Sequence, residues 1–345
     1  MNILVTGGAG FIGANFVHYW RANHPADFVV VLDALTYAGN AASLPSDDPR
    51  VKLVVGNICD PEVVNATVRT HAIELIVHFA AESHVDRSIT GPEAFLKTNI
   101  TGTYVLLECA RHTGIRFHHI STDEVFGSLG PDDAPFREDT PYTPNSPYSA
   151  SKAASDHLVR AYVHTYGLIA TTSNCSNNYG PYHFPEKLIP LCITNILRGR
   201  PLPVYGDGLN VRDWLYVEDH CLGIDLVIQK GRSGETYNLG GCNEWKNLDL
   251  VRLLCSLVDE AFAADPSWTL AYPDAPPSRG AASESLITFV TDRPGHDRRY
   301  SVDTTKARTE LGYEPRNTFP EGIRKTVHWF LANPGWWRPL LPTSS

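Results

Sequence analysis

The sequence predicts an α/β protein, a doubly wound parallel sheet with a smaller C-terminal lobe. Three observations carry that prediction. Short apolar runs rich in β-branched residues recur at Ile3 to Thr6, Phe28 to Leu32, Lys52 to Val55, Leu75 to Phe79, Phe117 to Ser121 and Ile169 to Ser173. Segments of helical character lie between them, notably Ala14 to Ala22, Pro61 to His71 and Asn99 to Arg111. Strands alternating with helices build a parallel sheet covered on both faces. The first run also meets Gly7-Gly8-Ala9-Gly10-Phe11-Ile12-Gly13 before a helix, the order of a Rossmann-type dinucleotide site. These expectations divide the chain into a nucleotide-binding part over 1–174, completed by part of 213–240, a lobe over 175–337 that binds the rest of the ligand, and a tail over 338–345.

Each element of that frame has a physical reason. Glycines at 7, 10 and 13 let the backbone turn tightly and approach a pyrophosphate, whose charge then sits at the positive end of the following helix. The second run ends in Asp33, about twenty residues past the last glycine, where a carboxylate accepts hydrogen bonds from a ribose. The same carboxylate repels a 2′-phosphate, and Ala34 and Leu35 offer no arginine to hold one. NAD is therefore expected rather than NADP. Asp33 as a mere turn cap is the plainer reading, and the glycine loop before it counts against that.

Composition removes several function classes. With 29 Lys and Arg against 38 Asp and Glu, the formal charge of −9 provides no basic field for nucleic acid or anionic lipid, so neither is expected as a partner. The 7 cysteines are scattered without a C-x-x-C pair, which argues against a zinc site and against a disulfide framework. No metal is expected. Asn2 already enters a strand and no apolar run approaches a membrane span, so a cytoplasmic location is expected.

The chemistry concentrates beyond the fifth strand, in Ser121-Thr122-Asp123-Glu124-Val125-Phe126-Gly127. Ligands of such sheets bind beyond the carboxyl ends of the strands. Two adjacent carboxyl groups in unequal surroundings take different protonation states, one donating and one accepting a proton. Neighbours on a strand point to opposite faces, so the strand must end by about Thr122 if both are to reach one ligand. A Pro- and Asp-rich loop follows, and then Tyr148 and Lys152, four apart and so on one face if helical, before a segment from Ala153 to Tyr166 that reads as a helix whose start Pro147 punctuates. His84, in Ala80-Ala81-Glu82-Ser83-His84 after the fourth strand, reads equally as a ligand contact or a framework residue. Ala264 to Glu284 is rich in Pro, Ala and Ser and reads as a flexible surface excursion.

The glycine loop, Asn99, Ser121-Thr122 and Tyr148-x-x-x-Lys152 occur in the order that resembles an extended short-chain dehydrogenase/reductase. Within that superfamily the blocks Ala80 to Ser88, Ser121 to Val125, Asn174 to Tyr182, Pro185 to Pro190 and Asp292 to Asp297 resemble the dTDP-glucose 4,6-dehydratases, over most of the chain from Asn2 to about Trp337. The resemblance implies an NAD site formed by Gly7, Gly10, Phe11, Ile12, Gly13, Asp33, Ala34, Leu35, Thr36, Asn57, Ile58, Ala80, Ala81, Ser83, Thr98, Tyr148, Lys152 and Asn178. It implies a nucleotide-sugar site formed by Ser83, Thr122, Asn177, Lys187, Leu188, Pro203, Tyr205, Arg212, Asn247, Arg293 and His296. Lys187 and Arg212 would offset the diphosphate charge, and either would otherwise be an ordinary ion-pair residue.

The implied reaction oxidises C4 of glucose, eliminates water across C5 and C6, and reduces C6 again. Tyr148 takes the 4-hydroxyl proton as a phenolate favoured by Lys152 and the positive nicotinamide, Thr122 orients that hydroxyl, Glu124 removes the C5 proton, and Asp123 protonates the departing 6-hydroxyl. A 4-epimerase shares the loop, Tyr148 and Lys152 but needs no acid pair after Thr122. A non-catalytic NAD-binding regulator needs none of these groups. A UDP-glucose dehydratase can carry the same Thr-Asp-Glu stretch, and a decarboxylase has no use for an acid at O6. Two residues depart from the family pattern, Phe126 for its Tyr and Asn57 for its Asp near the adenine, and the second bears on cofactor retention. A homodimer through Asn99 to Arg111 and Ser149 to Tyr166 is also implied.

Overall fold

The computed structural model describes residues 1–292 and 294–341. Seven parallel strands form the central sheet in the order β10-β6-β5-β4-β1-β2-β3. They are β1 (Asn2–Thr6), β2 (Phe28–Asp33), β3 (Val51–Val55), β4 (Leu75–His78), β5 (Arg116–Thr122), β6 (Ala170–Cys175) and β10 (Thr236–Leu239). β1, β2 and β4 read as unbroken apolar runs because both faces are covered, and Ile3, Leu4, Val5, Val29, Val30 and Ile76 are fully buried. The order reverses between β1 and β4, where the crevice of such sheets opens.

Two smaller sheets build the C-terminal lobe. β7 (Asn177–Tyr179), β9 (Val211–Tyr216) and β11 (Glu244–Lys246) form one, and β8 (Leu202–Tyr205) with β12 (Ile287–Val290) the other. Its core lies among the helices Leu188–Leu197, Asn247–Ala264 and Phe319–Ala332, around Ile193, Leu254, Val258, Phe330 and Trp337.

The helices differ from expectation in instructive ways. The helix expected over Ala153 to Tyr166 begins at Pro147, with proline at a position that needs no N–H and Ser146 and Ser149 capping each other's backbone. The helix expected over Asn99 to Arg111 is a π-helical stretch, Leu96–Gly102, that runs into an α-helix, Thr103–Thr113. The wider turn carries Asn99, which is buried and bonds Glu82 N–H and C=O at 2.9 and 3.0 Å and Ser151 Oγ at 2.8 Å. The loop after β4 is thereby tied to the helix that carries Tyr148.

The flexible excursion expected over Ala264 to Glu284 is corrected. Tyr272 is buried and its hydroxyl donates to Leu331 C=O at 2.6 Å, Ala275 is fully buried, and Ser283 binds the Asp259 carboxylate through its hydroxyl at 2.5 Å and its N–H at 3.1 Å. Tyr272 thus ties the segment to the helix Phe319–Ala332 and Ser283 ties it to the helix Asn247–Ala264, with short helical turns at Ser267–Ala271 and Pro276–Arg279. Of the expected tail, Arg338–Leu340 form a 3₁₀ turn and 342–345 lie outside the described residues.

Candidate active site

One cavity of about 490 Å³ runs along the carboxyl ends of the strands and into the lobe. At one end Gly10 caps the helix Phe11–Asn23 without any side-chain cap, leaving first-turn N–H groups for an anion. A Cβ at Gly13 would stand 2.4 Å from Gly7 O, and one at Gly7, where φ is +68°, 2.6 Å from Ala80 Cα. Only glycine fits either position. Asp33 ends β2 and accepts the N–H groups of Ala9 at 2.9 Å and Leu35 at 2.8 Å. Burial raises its carboxyl above the usual range while those two N–H groups pull it back.

The other expected cofactor residues, Phe11, Ile12, Ala34, Thr36, Asn57, Ile58, Ala80, Ala81, Ser83, Thr98 and Asn178, line the same cavity. Leu35 does not; at φ +48° it turns the chain and gives its N–H to Asp33. A cradle that a Cβ would fill, a capless helix start and a buried carboxylate opposite them fit a dinucleotide without a 2′-phosphate. Among the described residues no group of His, Cys, Asp or Glu is placed to hold a metal ion.

At the centre, β5 stops at Thr122 and a 3₁₀ turn, Asp123–Phe126, follows. That break brings both Asp123 and Glu124 onto the cavity wall with Thr122, Tyr148 and Lys152. Thr122 accepts Glu124 N–H and donates to Asp123 Oδ1, each at 3.3 Å, while Asp123 Oδ2 is buried without a hydrogen-bond partner. Gly127, at φ +95°, closes the turn against Thr143, whose hydroxyl donates to Phe126 C=O at 2.7 Å. Burial, then the charges of Glu124 and Asp213, raise the Asp123 carboxyl well above its ordinary value.

The chain's own groups, without the positive nicotinamide, do not favour a Tyr148 phenolate. Burial, then the Glu124 charge, pushes the Tyr148 phenol well above its ordinary value, and only a hydrogen bond from Thr122 opposes this. Lys152 points its ammonium at Ile120 C=O, 2.8 Å away, and burial lowers its own pKa.

At the far end Asn177, Lys187, Leu188, Pro203, Tyr205, Arg212, Asn247 and His296 all line the cavity, as Ser83 does between the two halves. Arg293 lies outside the described residues. Lys187 donates to Ser83 C=O at 2.8 Å, and Arg212, stacked on Tyr300 at 4.3 Å, donates to the carbonyls of Val211 and Asp297. Asn177 Oδ1, Asn247 Oδ1, Trp214 Nε1 and His183 Nδ1 are buried on this wall with no hydrogen-bond partner. Such groups are costly unless a ligand satisfies them.

The sequence reading missed His183, Phe184, Glu186 and Trp214, all cavity-lining. His183 stacks on Phe11 at 4.0 Å, so the segment after β7 covers the glycine loop. The run Tyr182-His183-Phe184-Pro185, aromatic and flanked by proline outside any strand or helix, was the available signal. His84 lines the cavity and also caps the helix Val85–Thr90, so both of its readings hold in part.

The family model for GDP-mannose 4,6 dehydratase matches residues 4–326. The chain belongs to that family. Within it the chain is 53% identical to a dTDP-glucose 4,6-dehydratase of Escherichia coli, over 97% of this chain and 94% of the other, and 52% identical to one of Neisseria meningitidis serogroup B, over 98% and 96%. Among solved structures it is similar to the dTDP-glucose 4,6-dehydratase DesIV of Streptomyces venezuelae with NAD and TYD bound, at TM-score 0.89 and 49% identity over 99% of this chain and all (100%) of the other. A UDP-glucose 4-epimerase of Thermotoga maritima shares the fold at TM-score 0.82 and 30% identity, over 96% and 98%.

Proposed function

We propose that the protein is an NAD-dependent dTDP-glucose 4,6-dehydratase, a hydro-lyase that converts dTDP-glucose to dTDP-4-keto-6-deoxyglucose and water. The observation that carries this reading is the break of β5 at Thr122, which turns a buried Asp123, its carboxyl raised well above its ordinary value, and the adjacent Glu124 toward one cavity beside Tyr148. NAD held at that site would supply the hydride acceptor for C4 and the hydride for C6, so none would be consumed.

The chain's own groups do the remaining work. Gly7 to Gly13 and Asp33 hold the dinucleotide, and Asn177, Asn247 and Trp214 meet the polar groups of the nucleotide sugar. Thr122 orients the 4-hydroxyl and Tyr148 takes its proton. Because burial raises the phenol, that transfer requires positive charge close by, which is the place of Lys152. The 4-ketone acidifies C5; Glu124 removes that proton, and Asp123 gives its proton to O6, which leaves as water. Glu124 then returns a proton to C5. An acid kept neutral by burial and by its ionised neighbour is the division of labour that an elimination requires.

The reading includes a cytoplasmic homodimer. A nucleotide diphosphate sugar is too charged to cross a bilayer unaided, and no helix among the described residues is long and apolar enough to span one. Tyr104 and Tyr166 expose apolar surface on the expected dimer helices. A monomer mass independent of concentration would refute the dimer. For the activity, dTDP-glucose and UDP-glucose are offered separately and the products weighed by mass spectrometry. Loss of one water from dTDP-glucose at the higher kcat/KM is expected; a 4-epimer of unchanged mass would overturn the proposal.

A further inference from the structure

Asp156 lies one turn beyond Lys152 on the helix Pro147–Tyr166, and no step above uses it. It is 6% exposed, a rare position for a carboxyl group without a role. Both of its oxygens are engaged. Oδ1 meets His119 Nε2 at 3.0 Å, and Oδ2 accepts the Ser121 hydroxyl at 2.7 Å and the Tyr142 phenol at 3.0 Å.

Those partners belong to the segments that carry the reacting groups. Ser121 directly precedes Thr122-Asp123-Glu124, and Tyr142 adjoins Thr143, whose hydroxyl holds the end of the 3₁₀ turn at Phe126. The helix of Asp156 bears Tyr148 and Lys152, and Lys152 reaches back to β5 at Ile120. Strand, turn and helix therefore meet at one carboxylate.

Its electrostatic surroundings are equally defined. Lys152 and His157 face it from its own helix, His119 from β5 and Tyr142 from the loop; His78 of β4 stands behind His119, with ring centroids 5.4 Å apart, and Cys175 of β6 lies near Lys152. Burial drives His119 and His78 far below their ordinary values, so both are neutral. The Lys152 ammonium is thus the principal cation for Asp156. Burial raises Asp156 to about 6, with Lys152, Ser121 and Tyr142 pulling it back, so it is ionised above that pH.

We infer that Asp156 is a positioning residue for the dehydration: it clamps the end of β5 and its acid turn against the helix of Tyr148 and Lys152, and its charge sustains the Lys152 ammonium. The inference rests on the dehydratase function proposed above. Asp156→Asn separates the two parts of the role, since an amide can still accept from Ser121 and Tyr142 and can donate to His119 but carries no charge. Tyr142→Phe and Ser121→Ala each remove one clamp bond and keep the charge.

The full chain loaded with NAD is assayed on dTDP-glucose across neutral and alkaline pH. Asp156→Asn is expected to lower kcat about 10- to 100-fold with KM within about twofold. The alkaline limb of its kcat profile moves to lower pH, because Lys152 loses its proton more readily without the facing carboxylate. Tyr142→Phe and Ser121→Ala lower kcat severalfold and leave that limb in place. Wild-type kcat in Asp156→Asn, or a fall with an unmoved alkaline limb, overturns the charge role; wild-type kcat in both clamp variants overturns the positioning role, even if Asp156→Asn does not fold. Failure of the dehydratase reading is separately visible, as a wild-type enzyme that removes no water.

Discussion

Replacing Asp123 by asparagine exchanges an O–H for an N–H₂ at a buried atom and alters no charge if Asp123 is the protonated acid that the proposed mechanism requires, the direction in which burial drives it. The Thr122 hydroxyl keeps its acceptor, Oδ1, at 3.3 Å. Folding and substrate binding should therefore survive. The variant loses only a proton that can be given away at the unpartnered Oδ2. General acid catalysis contributes about 10²- to 10⁴-fold, so water loss should slow by that factor, or about 3–5 kcal/mol in barrier. C4 oxidation uses Tyr148 and Thr122 and should stay within about threefold of wild type, a difference under about 1 kcal/mol. Rapid mixing of the NAD-loaded variant with dTDP-glucose should consequently build up reduced nicotinamide close to one per active site, where the wild type shows little. Deuterium should still enter C5 from solvent, since Glu124 remains. Turnover at the wild-type rate, or equal losses in oxidation and water loss, would refute the assignment of Asp123 as the acid at O6.

Gly13→Ala should yield protein that purifies with little NAD, because the added methyl would lie 2.4 Å from Gly7 O and 2.8 Å from Gly8 Cα, both backbone atoms; a cofactor content equal to wild type would contradict the close approach. Tyr272→Phe leaves the buried Leu331 carbonyl without its 2.6 Å donor and should lower unfolding stability by about 1–3 kcal/mol, read by urea denaturation; no change would return the 264–284 segment to a loose excursion. Asp156 is raised from 3.8 to about 6 by burial, so as pH climbs the unfolded chain ionises first and wild-type stability contributed by this group is lost between those values. Asp156→Asn lacks that loss, and its stability relative to wild type should improve by up to about 3 kcal/mol from pH 4 to pH 7; a difference independent of pH would rule the shift out.

β1, β2 and β4 were the most legible strands because they are buried on both faces and so appear as unbroken apolar runs. β10 was harder, since Thr236-Tyr237-Asn238-Leu239 alternates polar and apolar residues at the sheet's edge. The end of β5 at Thr122 followed from stereochemistry, as two adjacent carboxyls cannot leave a strand on one side. Leu35 was misplaced because proximity in sequence to Asp33 says nothing of a positive φ. The 264–284 segment was misread because its Pro, Ala and Ser content hides one buried tyrosine, and Asp156 was invisible because Ser121 and His119 lie 35 and 37 residues away. Protonation states were the least legible feature. The Asp123 carboxyl is raised by burial and in part by Asp213, which stands 90 residues further on and has no local signature.

β10 pairs with β6 and is pinned from the loop side by Glu138 and Phe136, which bind Asn238 at 2.9 and 3.0 Å. The nucleotide-binding sheet thus borrows its last strand from beyond the first strands of the other lobe. During synthesis β6 emerges with an unpaired edge, and residues 176–235 take roughly 3 to 12 seconds to follow at about 5–20 residues per second. For that interval the nascent chain offers an unpaired strand edge, Ala170–Cys175, to any neighbour able to extend the ladder. Pauses in translation within this stretch, rather than changes in the finished enzyme, are therefore where crowded polysomes would first lose material to aggregation, and a fragment ending at residue 174 would carry the same exposed edge permanently.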